Sequence, residues 1–148
     1  MCFSEAPISV IAHMVADRES RYAPLGVMID KTWFFAQGGR PVIYQLEAEY
    51  ELLPEGIRYR HVRYEPNNGI DFTWEREWRL HADALALDPA TTTLVVPSRD
   101  VAEYFKGEHL EAQQRLAADF GQDAAFAIEA FPWNFLVLED LGVRVDFG

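Results

Sequence analysis

The sequence predicts an α+β fold, and three observations carry that reading. Strand-like and helix-like stretches follow one another in mixed order, without the steady strand–helix alternation of a parallel α/β protein. Residues 71–80, Asp-Phe-Thr-Trp-Glu-Arg-Glu-Trp-Arg-Leu, alternate aromatic and charged side chains in the two-residue period of a strand. Ile8, Ile11, Ala12 and Val15 recur at helical spacing. With 148 residues, 49% of them hydrophobic and 14% aromatic, one domain spanning residues 1–148 can bury a core of its own. The expected architecture is a mixed or mainly antiparallel sheet, with a β-hairpin around residues 57–80 and flanking helices.

In chain order, Ser4 reads as a helix N-cap with Pro7 in the first turn, and the helix covers about residues 7–17. Residues 25–30 form a short apolar strand. Lys31 to Gln37 reads as one or two helical turns stopped by Gly38-Gly39. Residues 41–45 make a second strand, with Pro41 tolerated at its start. Residues 46–53 carry helix formers and end at Pro54-Glu55-Gly56, so their state stays open. Residues 57–65 alternate arginines and aromatics as an edge strand does, and Pro66-Asn67-Asn68-Gly69 supplies the turn into residues 71–80. Further on, residues 92–97 read as a buried strand. Ser98 caps a helix that Gly107 interrupts, and a second helix runs from about 108 to 120. Residues 126–131 and 133–137 look like closing strand or core segments, and 143–147 like an edge strand or tail.

Charge and cysteine count bound the function. A net charge of −11 and a single cysteine argue against non-specific nucleic-acid binding, an internal disulfide and a multi-cysteine zinc site. His13, His61, His81 and His109 are scattered without metal spacing. No apolar run reaches the length of a membrane span, and the N-terminus shows no signal pattern, so the expected location is cytoplasmic. Nothing specifies an oligomeric state.

If residues 71–80 are one strand, Phe72, Trp74, Arg76, Trp78 and Leu80 share one face, and Thr73, Glu75, Glu77 and Arg79 the other. The two carboxylates of the second face then stand about 7 Å apart at Cα. Burial of both Trp74 and Trp78 follows from this alternation. So does a plain account of the charges as a salt-bridged face, with Glu75 and Glu77 paired to arginines of the hairpin's other arm.

Four stretches, in order, are Cys2-Phe3-Ser4-Glu5-x-Pro7, Gly26-Val27-x-Ile29-x-Lys31, Pro41-Val42-Ile43-Tyr44 and Trp74-Glu75-Arg76-Glu77-Trp78-Arg79. Over about the first 80 residues the chain thereby resembles AbiGi-like abortive-phage-resistance proteins. That resemblance implies a bacterial defence or immunity role and hands over no mechanism. On a structural reading of the same motif, its tryptophans fill the core, its charges form a network, and the acidic domain acts by binding another protein, as an immunity or antitoxin partner does, with no cofactor expected.

The Glu75-x-Glu77 pair also resembles the acidic motif of ADP-ribosyltransferases, which use NAD. Under that alternative, Glu77 steadies a ribosyl cation and Glu75 steers or deprotonates the acceptor. Arg76 or Arg79 holds the pyrophosphate, and Tyr44 or Trp74 stacks a ring. Ser4 and His13 complete the candidate binding residues, although a lone histidine on an amphipathic helix is more often structural. The other marks of that family, a Ser-Thr-Ser strand and an N-terminal His or Arg strand, are not evident.

Overall fold

The computed structural model of the chain describes residues 1–16, 23–120 and 128–143. The fold is α+β. Its elements are β1 (Cys2–Ser4), α1 (Ile8–Ala16), β2 (Gly26–Ile29), α2 (Lys31–Ala36), β3 (Arg40–Pro41), β4 (Ile43–Gln45), β5 (His61–Arg63), β6 (Glu77–Arg79), β7 (Thr92–Val96), α3 (Arg99–Phe120) and β8 (Asn134–Val137). They fall into two compact units, one of residues 1–11 and 30–86, the other of residues 12–29 and 87–148. Among the described residues, no helix is long and apolar enough to cross a membrane.

The first unit is organised around β6, which lies between β1 and β3 in an antiparallel sheet. Cys2 faces Arg79, Phe3 faces Trp78 and Ser4 faces Glu77 across one edge, while Arg40 and Pro41 face Arg79 and Trp78 across the other. The α-amino group of Met1 extends this ladder by donating to the Leu80 carbonyl at 2.9 Å. The two-residue period puts Phe3, Trp78 and Pro41 on one face and Cys2, Ser4, Glu77 and Arg79 on the other.

Helix α2 supplies the apolar face with its partner. Asp30 caps it by accepting the Trp33 amide at 2.7 Å, and Phe34, buried, sets its ring 4.5 Å from Phe3 and 6.3 Å from Trp78. The chain leaves the helix through Gly38 at φ +98°, and Gly39 lies directly under the Phe34 ring. The expected glycine stop is thus also a packing requirement.

Strands β4 and β5 pair in parallel, with Tyr44 facing Val62. A parallel pair needs a crossover rather than a tight turn. Residues 46–60 provide it as two 3-10 turns, Glu47–Leu52 and Glu55–Arg60. The open reading of residues 46–53 resolves here: the Glu49 carboxylate accepts the Leu46 amide at 2.9 Å, and Pro54 ends the turn.

The hairpin expected around residues 57–80 does not form. Both edges of β6 are occupied, by β1 and β3, and β5 pairs with β4 instead. What remains of the hairpin is one antiparallel bridge, Glu65 to Ile70, around the turn Pro66–Asn68, closed by Gly69 at φ +74°. Nor do residues 71–80 form one strand. Thr73–Glu75 is a 3-10 turn and Arg76 is left-handed at φ 48°, ψ 49°, so only Glu77–Arg79 is extended.

The second unit has the sheet order β2-β7-β8, antiparallel on one side of β7 and parallel on the other. Among the described residues, Val96, Ala102 and Leu138 are buried apolar residues of this unit alongside Ala12. Ser98 caps α3 as expected, accepting the Val101 amide, and Glu139 accepts the Arg99 amide at 2.7 Å. The helix does not break at Gly107. A glycine there weakens a helix by about 1 kcal/mol, but Phe105 stacks toward Phe135 before it and His109 meets Phe131 after it. Phe131 and Phe135 stack at 5.1 Å, so both halves of α3 hold to one aromatic cluster. Of the expected closing elements, residues 126–127 and 144–147 lie outside the described residues.

Candidate functional site

Of the residues singled out from the sequence, Ser4, Tyr44, Glu75, Arg76, Glu77 and Arg79 lie in the unit of the β1–β6–β3 sheet, where they act as a framework, and His13 lies in the other unit. Glu77 and Arg79 stand on the same face of β6, as alternation predicts. Arg79 Nε donates to Glu77 Oε1 at 2.7 Å, with the two side chains 28% and 11% exposed. The Arg79 Nη1 donates further to the carbonyls of Tyr59 at 2.8 Å and His61 at 2.9 Å. One guanidinium therefore ties β6 to the end of the crossover and the start of β5. Burial opposes the charge on Arg79, yet the Glu77 hydrogen bond and charge outweigh it and hold its pKa above the ordinary value. The expected pairing of Glu77 with arginines of a hairpin arm is replaced by this pair within one strand.

Cys2, opposite Arg79 on β1, belongs to the same group. Burial first, and its hydrogen bond to Glu77 second, push its thiol pKa up. A thiol so placed is a weaker nucleophile at neutral pH than an ordinary one.

Tyr44 is a brace as well. Its hydroxyl donates to the Phe72 carbonyl and accepts the Glu77 amide, both at 3.2 Å. Ser4 does not cap α1. Its hydroxyl donates to the Glu75 carbonyl at 2.6 Å and accepts the Ala6 amide at 3.1 Å. Glu75 is half-buried in the 3-10 turn, and Arg76 is exposed just beyond it. Trp78 is half-buried on the sheet, whereas Trp74 is 41% exposed, a correction to the expectation that both are buried. The cause is the turn at residues 73–75, which takes Trp74 out of the strand alternation. His13 lies on α1, and its side chain is outside the described residues.

Sequence reasoning assigned no site role to a second charged group on this unit. Glu5 accepts Lys31 Nζ at 2.8 Å on one carboxylate oxygen and Trp78 Nε1 at 3.0 Å on the other. The ammonium also lies 5.1 Å from the centre of the Trp78 ring. The Lys31 hydrogen bond, then that of Trp78, lowers the Glu5 pKa. The available signal was the indole N–H of Trp78, which seeks an acceptor when its ring is packed.

The arrangement holds backbone segments in place by hydrogen bonds and a partly buried ion pair. Among the described residues, no group of three or more His, Cys, Asp or Glu side chains is placed to hold a metal ion. No family model, curated protein or solved structure matches the chain.

Proposed function

We propose that the chain is a bacterial defence- or immunity-associated protein that acts by binding another protein. The observation that carries this reading is the engagement of Glu77. Its carboxylate is bonded to Arg79 at 2.7 Å and its side chain is 11% exposed. An ADP-ribosyltransferase needs that carboxylate open to a ribose and its charge unspent, so that it can act on the developing cation. Arg79, one of the two candidate pyrophosphate holders beside Arg76, is likewise committed to the Tyr59 and His61 carbonyls. The motifs that carry the likeness to abortive-phage-resistance proteins support the same reading. Ser4, Glu5, Lys31, Tyr44 and Trp78 from four separate stretches interlock in one unit. They brace a surface, which is what an interaction module requires.

The test is NAD turnover by the full chain and by Glu77→Gln, with protein and nucleic-acid acceptors supplied. The expected result is no turnover by either. Turnover by the wild type that disappears in Glu77→Gln would overturn the proposal and install the enzyme in its place.

A further inference from the structure

The turn Pro66–Asn68 carries a reactive pair that the interaction reading does not use. Asn68 is followed by Gly69, and both residues are exposed. Gly69 stands at φ +74°, and nothing lies within 4 Å of where its Cβ would be. Without a side chain at residue 69, its backbone nitrogen can approach the Asn68 side chain closely. The other asparagines lack this freedom: Asn67 precedes Asn68, and Asn134 precedes Phe135 within β8.

Such a pair can close a ring on itself. The Gly69 nitrogen, having given its proton to water or hydroxide, attacks Cγ of Asn68. The N–Cγ bond forms, the Cγ–Nδ2 bond breaks, and Nδ2 leaves as ammonia with a proton from water. A second water then opens the cyclic imide. Cleavage at Cγ gives aspartate, and cleavage at the main-chain carbonyl gives isoaspartate, whose backbone is longer by a carbon. Neither step needs an oxidant, a reductant or a cofactor.

Two hydrogen bonds of the folded turn oppose the attack. The Gly69 amide donates to the Pro66 carbonyl at 3.1 Å, and Asn68 Nδ2 donates to Glu65 Oε2 at 2.9 Å. Glu65 is itself fixed by the Arg63 guanidinium at 2.9 and 2.7 Å. Nδ2 is the leaving group, and it departs only by giving up this charge-assisted bond.

We propose that Asn68 is a site of spontaneous deamidation through Gly69 and that Glu65 sets its pace. The product places a second carboxylate where an amide donated to Glu65, and like charges repel. Isoaspartate also lengthens the chain between Glu65 and Ile70, whose antiparallel bridge spans the turn. The modification therefore loosens the turn between β5 and β6 and adds negative charge to it.

The experiment is incubation of the folded full chain in mildly alkaline buffer, followed by peptide mapping that separates aspartate and isoaspartate forms by mass spectrometry. The expected result is conversion of Asn68 ahead of Asn67 and Asn134. Glu65→Ala converts about tenfold faster, the factor for releasing a hydrogen bond to a charged group. Glu65→Gln, which keeps an acceptor for Nδ2, falls between the two. In concentrated urea all three proteins convert at one rate, because the restraint belongs to the fold. Asn68 left intact in the folded wild type, conversion led by Asn67 or Asn134, or equal folded-state rates in the wild type and both variants would overturn the proposal.

Discussion

Arg79 reaches back two residues along β6 to Glu77 at 2.7 Å and forward to the carbonyls of Tyr59 and His61. The pair is the joint between the central strand and the crossover that precedes β5. Shortening Arg79 to alanine leaves the 11% exposed Glu77 carboxylate without its cation and two carbonyls without a donor. A loss of about 1.5–3 kcal/mol is expected, the range for hydrogen bonds to charged groups. Arg79→Lys recovers only part of it, because an ammonium cannot reproduce the planar fork of donors. Urea unfolding of the three proteins decides the matter, and equal midpoints for Arg79→Ala and the wild type would refute the joint.

Gly39 has no room for a side chain. A Cβ built there falls 2.4 Å from the Phe34 ring, and Phe34 is itself clamped between Phe3 and Trp78. Gly39→Ala must displace that ring, so a destabilisation of about 1–3 kcal/mol is expected, as for other overpacked cores. Thermal unfolding reads it. A variant that melts with the wild type would mean that α2 shifts freely over the sheet.

Glu65 links stability to pH. The Arg63 guanidinium first, then the Asn68 amide, lower its pKa to about 2. The folded value lies below the unfolded one, about 4.3. Its contribution is therefore complete above the unfolded pKa and is lost as pH falls from there toward 2. Glu65→Gln should flatten this limb of the stability curve between about pH 4.5 and 2 and leave the curve above it parallel to that of the wild type. A carboxyl-carbon NMR titration that places Glu65 near 4.3 would contradict the assignment.

Local chemistry wrote several elements legibly into the sequence. Gly38-Gly39 after α2 and Ser98 before α3 are signals that depend on nearest neighbours, and each acts in the structure as it reads. The shared face of Glu77 and Arg79 is equally local, since it needs only the two-residue period of a strand. The α+β class followed from the same reading.

Tertiary structure decided which edges meet. The alternation in residues 71–80 suits a strand throughout, yet only three of its residues are extended, because β1 and β3 pair with just that part of it. Residues 57–65 carry the composition of a hairpin arm, but β5 joins β4 in parallel and leaves the turn at Pro66–Gly69 with a single bridge. Trp74 and Trp78 have the same composition around them and differ in fate for the same reason. Glu5 could be linked to Lys31 and Trp78 only by the fold, since 26 and 73 positions separate them. Periodicity in a sequence reports which side chains can share a face, but a backbone hydrogen bond between strands forms wherever an edge is open. Which edge is open depends on every other segment that competes for it.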